Sequence, residues 1–232
     1  GKTPDTFIYD MTTAPWWNNG EKIEYTNLVD MAVEGMNAGS PQVYAPAFTN
    51  YVEGIYVGYK YYETAAQEGF IDYDKTVQYP FGYGLSYTEF EQKMGELEEK
   101  DGQISVDVEV TNTGDVAGKD VVEVYYNPPY TNGGIEKASA NLIEFAKTDL
   151  LQPGDSQTVT VTFDVEDMAS YDENDAEAYV LEKGDYVISI NRDSHTVLDQ
   201  KTYTVDDTVV YAGENKRATD DTAATNVFEE AK

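Results

Sequence analysis

From Gln103 onward the chain alternates apolar and polar side chains in runs too short for anything but strands. Ile104-Ser105-Val106-Asp107-Val108-Glu109-Val110 sets four aliphatic residues on one side and three polar ones on the other, the period-two pattern of a half-buried strand. Thr111-Asn112-Thr113-Gly114-Asp115 follows as a turn, rich in residues that tolerate left-handed backbone. Residues 120–126 form the next run, closed by Pro128-Pro129, which cannot continue a ladder. Further candidate strands cover 141–147, 157–163, 178–181, 184–191 and 196–205. Seven short strands separated by turn signals at about ten-residue spacing predict a two-sheet β-sandwich over 103–205.

The part ahead of the sandwich is organised around two aromatic words. In Tyr51-Val52-Glu53-Gly54-Ile55-Tyr56-Val57-Gly58-Tyr59-Lys60-Tyr61-Tyr62, partial alternation sets Ile55, Val57 and Tyr59 against Tyr56, Gly58 and Lys60, as in a strand. Residues 63–69 read as a helical turn closed by Gly69. Tyr79-Pro80-Phe81-Gly82-Tyr83-Gly84-Leu85-Ser86-Tyr87 is incompatible with regular structure. Pro80 lacks a donor, and the glycines open backbone angles that let large rings fold against a surface. Residues 51–90 are therefore expected to be a docking segment. Before them, residues 1–50 read as loops and short elements, with a short Asn-capped helix expected over 27–36 and a turn at Trp16-Trp17-Asn18-Asn19-Gly20. Residues 91–102, dense in charge and without strand periodicity, read as a surface link, and 206–232 as an acidic tail, linker or strap on the sandwich.

These words also carry a resemblance. "EGIYVGYKYYET" followed by "YPFGYGLSYTEF" is similar to the end of the α/β sandwich domain of family 3 glycoside hydrolases, the β-glucosidases and their relatives. Gly1-Lys2-Thr3-Pro4-Asp5-Thr6-Phe7 resembles the stretch that precedes them there. "VEVTNTGDVAGKDVVEVYYNPP", "LQPGDSQTVTVTF" and "LEKGDYVISI" resemble the fibronectin type III-like domain of the same family. Departures occur at Glu144-Phe145, where that domain often has Gly-Phe, and at Asn191-Arg192-Asp193-Ser194, where it often ends a strand in Gly-Ser-Ser. The resemblance implies a mainly β chain: a fibronectin type III/Ig-like β-sandwich preceded by an incomplete, loop-rich α/β segment over 1–90. It further implies a non-catalytic piece of a longer hydrolase. In the family the nucleophile is an aspartate on a (β/α)8 barrel, and the acid/base is commonly a glutamate in a sandwich-domain loop that would lie upstream of Gly1. Its implied partners are the remainder of that hydrolase, barrel and upstream sandwich segment included. A free-standing module binding carbohydrate or protein is the alternative.

The residues themselves point away from other functions. With 44 acidic against 15 basic side chains, a net charge of −29 repels nucleic acid and anionic lipid. No cysteine is present, so disulfides and thiolate metal sites are excluded. No apolar run approaches the roughly 20 residues of a membrane helix. No barrel is expected, since eight βα units need about 200 residues or more and the sequence shows no such repeat.

No catalytic residue, cofactor or metal site is assigned. Glycoside hydrolysis needs two carboxyl groups facing each other about 5 to 9 Å apart, which Glu53 in an aromatic strand does not supply, so Glu53 is read as structural. His195, the only histidine, is read as a surface residue in a turn with Asp193 and Ser194. Asp172-Glu173-Asn174-Asp175 lacks the spacing of a calcium loop and is read as solvated. Trp16 and Trp17 are the candidate substrate-binding residues, because sugars stack on indole faces, with packing at a domain junction as the competing role.

Overall fold

The computed structural model describes residues 1–19 and 51–222, together with the backbone of four two-residue strands between them. Strand β1 (Phe7–Ile8) leads into two 3-10 turns. Of the four short strands, β2 (Ile23–Glu24) pairs β5 (Ala47–Phe48), and β3 (Val33–Glu34) pairs β4 (Val43–Tyr44). Val33 and Glu34 are thus extended where the sequence suggests a helix; the rest of 27–36 lies outside the described residues. Helix α1 (Tyr59–Gln67), helix α2 (Tyr73–Thr76) and β6 (Val77–Tyr79), which pairs β1, complete the upstream part.

The strand expected through Ile55, Val57 and Tyr59 does not form. Residues 52–55 turn, Gly58 takes φ +63°, and the chain coils into α1, burying Tyr62, Glu63 and Ala65. Helical spacing wins over the short alternation because the helix is covered on more than one side, Tyr62 packing on Ile8, Ala14 and Val77 and Glu63 meeting Ser194 and His195. The helix ends at a glycine with φ +76°, Gly69, as its position in the sequence suggests.

The expected surface link at 91–102 is a strand. β7 (Phe90–Lys100) forms a hairpin with β8 (Gln103–Asn112) through Asp101 and Gly102, at φ +53° and +81°. Its periodicity is masked by a bulge: Met94 pairs Val108 but Leu97 pairs Val106, so one extra residue shifts the inward face. Then follow β9 (Val121–Asn127), β10 (Asn141–Lys147), β11 (Ser156–Asp164), β12 (Ser170–Asp172), β13 (Ala178–Leu181), β14 (Gly184–Asn191), β15 (Val197–Val205) and β16 (Val209–Tyr211).

Two antiparallel sheets, β11-β8-β7 and β10-β9-β14-β15, make the sandwich. Seven strands are present as expected, but β7 takes the place assigned to 178–181, which instead joins a side sheet, β12-β13-β16. That side sheet also turns the expected acidic tail into a strap: Tyr211 pairs Tyr179, and the Arg217 guanidinium sits 3.5 Å over the Tyr179 ring.

The core lies between the two large sheets. Ile104, Val106, Val108 and Val110 of β8 meet Val122 and Val124 of β9 and Ile188 and Ile190 of β14, all essentially solvent-free. At about 25 cal/mol per Å² of apolar surface removed from water, this layer supplies most of the drive to fold. β9 and β14 are also covered on their other face: Glu123, Tyr125, Ser189 and Asn191, which point away from the core, are buried as well. A sheet buried on both sides reads in sequence as a continuous buried run, and what covers this one is the upstream segment.

Candidate functional site

The seam between the upstream segment and the β9–β14 face gathers most of the buried polar chemistry. Glu63 projects from α1, 8% exposed, and accepts three hydrogen bonds. Tyr73 Oη donates to Oε1 at 2.6 Å and Ser194 Oγ donates to the same oxygen at 2.8 Å. His195 Nδ1 lies 2.8 Å from Oε2. Two donors come from the loop after β14 and one from α2, so a single carboxylate ties three elements together. Its hydrogen bond to His195 is the main cause holding the imidazole pKa above its ordinary value. Burial beside this carboxylate drives the Tyr73 phenol far up, so that it stays a donor at any physiological pH.

The loop that presents Ser194 and His195 is shaped by Asp193. Its Oδ1 accepts the backbone N–H of His195 at 3.1 Å and of Thr196 at 2.8 Å. The departure Asn191-Arg192-Asp193-Ser194 from the resembled pattern is therefore the loop that reaches the upstream segment.

A second tie lies alongside. Lys2 Nζ contacts Glu123 Oε1 at 2.9 Å and also donates to the Arg192 carbonyl, while Tyr125 Oη donates to Glu123 Oε2 at 3.0 Å. Burial raises the Glu123 pKa, and Lys2 opposes that shift. Tyr79 ends β6, contrary to the expectation of no regular structure, and from Pro80 onward the chain is the irregular turn foreseen from its Pro and Gly, with Gly82 lying against Glu123 and Leu85 and Tyr87 exposed. Phe81 stacks on Tyr59 at 4.8 Å and its carbonyl accepts the Ser194 N–H at 2.8 Å. Gly82, at φ +82°, has no room for a side chain: a Cβ would stand 2.9 Å from Glu123 Oε2 and 3.3 Å from the Asp193 Cα. On the far side of α1, Tyr59 Oη accepts the Leu142 N–H at 2.9 Å and Thr64 Oγ1 accepts the Ser139 N–H at 2.9 Å.

Two cavities flank the seam. One of about 450 Å³ is bordered by Glu63, Tyr73, Tyr125, Ser194 and His195; the other, of about 260 Å³, lies between α1 and the loop that follows β9. Gln67 and Asn127, joined by a hydrogen bond of 3.2 Å, border both.

His195 is exposed in the turn with Asp193 and Ser194, as expected, its side chain 43% accessible; what the sequence did not show is that it stacks flat on Tyr73 at 3.6 Å and binds Glu63. Serine, histidine and glutamate do meet here, but Ser194 donates to Glu63 and not to His195. The relay that would activate a serine nucleophile is absent from these contacts. Glu63 was legible only as the start of a helical turn; no local signal marks it, because two of its three partners, Ser194 and His195, lie some 130 residues away. Trp17 opens the second 3-10 turn and Trp16 precedes it; they are 46% and 38% exposed and border neither cavity. Asp172 spends its oxygens on the backbone N–H groups of Asn174, Asp175 and Ala176, which lowers its pKa and shapes its own turn. Glu53 lies in the turns before α1, where its carbonyl accepts the Tyr56 N–H at 2.9 Å.

A seven-stranded sandwich with an α/β strip fixed to one sheet defines a class of module, and residues 120–194 match the model of the fibronectin type III-like domain. The relatives carry the likeness beyond that domain. A β-glucosidase of Ruminococcus albus is 35% identical over 214 residues, covering 90% of this chain and 19% of that protein; β-glucosidase A of Butyrivibrio fibrisolvens is 42% identical, covering 60% and 18%. Among solved structures, a β-glucosidase from Paenibacillus barengoltzii superposes with a TM-score of 0.71 at 34% identity over 90% of this chain and 21% of that one. β-Glucosidase 3B from Thermotoga neapolitana, solved with glucose, gives 0.68 at 33% identity over 90% and 25%. Over about 90% of its length the chain is homologous to family 3 β-glucosidases, and residues 120–194 supply a fibronectin type III-like domain. It spans about a fifth of the length of the curated relatives it matches.

Proposed function

We propose that this chain is the packing and support module of a family 3 glycoside hydrolase that cleaves O-glycosidic bonds of β-glucosides or similar short glycosides, and that it carries no catalytic carboxylate itself. In this reading residues 1–90 close the α/β sandwich domain, the fibronectin type III-like sandwich begins at β7, and residues 206–222 strap it. The observation that carries the proposal is the two-sidedness of the upstream segment. One side is clasped to the sandwich through Glu63 and Lys2, while Tyr51, Ile55, Val57, Leu85 and Tyr87 stand 47–99% exposed. Large apolar side chains held out on a segment whose inner side is already packed mark a surface for protein, here the barrel and the upstream part of the same enzyme. The carboxylates at the seam support the same reading, since Glu63 is saturated by three donors and Glu123 by Lys2 and Tyr125.

The test is reconstitution. The chain alone should leave an aryl β-glucoside intact, and should restore hydrolysis when coexpressed with a related β-glucosidase truncated of this segment. Substituting Leu85→Asp and Tyr87→Asp together should abolish the rescue. Turnover by the chain alone, or rescue indifferent to those substitutions, would sink the proposal. So would retardation on a polysaccharide gel that Trp16→Ala with Trp17→Ala removes, joined to failed rescue: that pair of results identifies a free-standing binding module.

A further inference from the structure

The 260 Å³ cleft lies beside the hydrogen bonds that join α1 to the end of β9 and the loop after it, Gln67 to Asn127 and Thr64 to Ser139, away from the Glu63 and Lys2 clasps, and is built differently from the rest of the seam. Buried Ala65, Pro128 and Ala138 give it small apolar surface, and Tyr56, Tyr61 and Tyr130 bring three rings to its border. Phe70, also at its border, is 81% exposed, an apolar ring held in water just past the end of α1. The polar groups beside these rings are acidic or neutral: Glu68, Glu136, Asn132 and Gln67. The one cation, Lys137, is committed elsewhere, its buried amine donating to the Pro129 carbonyl at 2.6 Å and paired with Glu182.

This combination selects a ligand. Unneutralised carboxylates on a chain of net charge −29 reject anions. Rings invite a flat apolar face, while carboxylates and amides accept and donate hydrogen bonds at its edge. The volume suits one ring and not a chain of them, lying just below the range of about 300–1,000 Å³ typical of pockets for drug-sized ligands. A pyranose has this character, with apolar C–H faces and equatorial hydroxyls. We propose that the cleft binds one neutral pyranose ring, stacked on Tyr130 and Phe70, with its hydroxyls donating to Glu68 and accepting from the Asn132 amide. The site involves neither Trp16 nor Trp17 and holds whether or not the chain supports a hydrolase.

The experiment is a chemical-shift titration of the full chain with glucose, with glucuronate and tetramethylammonium as comparison probes. Glucose should give saturable shifts confined to residues around the cleft, and glucuronate should bind about tenfold more weakly for its charge. Phe70→Ala and Tyr130→Ala each remove a solvent-exposed ring, so the core spectrum should stay unchanged while affinity falls about tenfold. Absence of saturable shifts up to about 100 mM glucose, far above a millimolar Kd, would overturn the proposal. So would shifts that survive both substitutions. Tighter binding of tetramethylammonium at the same residues would also overturn it, and would define an organic-cation cleft instead.

Discussion

The His195 imidazole lies flat on the phenol of Tyr73, ring centroids 3.6 Å apart and planes 5° from parallel. The stack fixes the imidazole so that Nδ1 meets Glu63, which makes the attachment of α1 to the sandwich sensitive to pH. Facing this histidine are Glu63, Asp193, Asp74 and the Tyr73 phenol, and the three carboxylates favour its protonated form. Its folded pKa is raised, so protonation contributes stability that is fully present below the ordinary value near 6.5 and is lost as pH rises through the higher folded value. Thermal melts from mildly acid to mildly alkaline pH should show this loss in the native chain. In His195→Gln the slope over that window should flatten, and unchanged slopes would show that the stack does not report on the seam. Because half the ring meets solvent, the effect should shrink in high salt.

Removing the carboxylate has a larger consequence than removing the histidine. Glu63→Ala leaves the Tyr73 hydroxyl, Ser194 hydroxyl and His195 ring without their shared acceptor in a mostly buried position. Orphaning charge-assisted hydrogen bonds of this kind costs on the order of 2–4 kcal/mol. Urea unfolding should show that loss. Limited proteolysis should also show earlier cutting between α1 and β6, with the β8–β14 core still protected.

The sandwich was legible because its strands obey one rule without interruption: from Ile104 to Val110 every second residue is apolar, and the residues that break the runs are turn formers. The rule failed at β7, where the bulge between Met94 and Leu97 moves the inward face by one residue. The stronger signal there was Asp101-Gly102, a dipeptide whose left-handed angles favour a two-residue hairpin. The docking character of 51–90 was visible in its aromatic density, but not that its first half would coil. The helix is fixed by partners distant in sequence: Tyr59 meets Tyr125 of β9, Tyr62 packs on Ile8, Ala14 and Val77, and Glu63 reaches the loop after β14. The seam's polar partners were invisible for the same reason: contacts between Glu63 and Ser194 leave no mark at either position.

Burial separates the two kinds of apolar residue in this chain. Ile188 is 0% exposed between the sheets, and Ile188→Ala should cost about 2–5 kcal/mol through lost transfer energy and the cavity left behind. Tyr87 is 99% exposed, so Tyr87→Ala should change stability by no more than about 0.5 kcal/mol. The same Tyr87→Ala should nevertheless weaken the reconstitution of hydrolysis described above, a split that only a surface awaiting a protein partner produces.

Two glycines at nearly the same backbone angle should respond differently to one methyl group. Gly102 has φ +81° and open space around it, so Gly102→Ala should cost only the strain of a left-handed alanine, about 1 kcal/mol. Gly82 has φ +82° but faces Glu123 and the backbone of Asp193 at distances too short for a Cβ. Gly82→Ala adds to the same strain a clash with the Glu123 carboxylate, which Lys2 and Tyr125 hold in place, so the turn must lift away from the sandwich and stretch the hydrogen bond from the Ser194 N–H to the Phe81 carbonyl. The loss in urea unfolding should exceed that of Gly102→Ala, and the His195-dependent pH slope should weaken with it. Equal costs for the two substitutions, with the slope intact, would mean that the Tyr79–Tyr87 turn rests on the sandwich without gripping it.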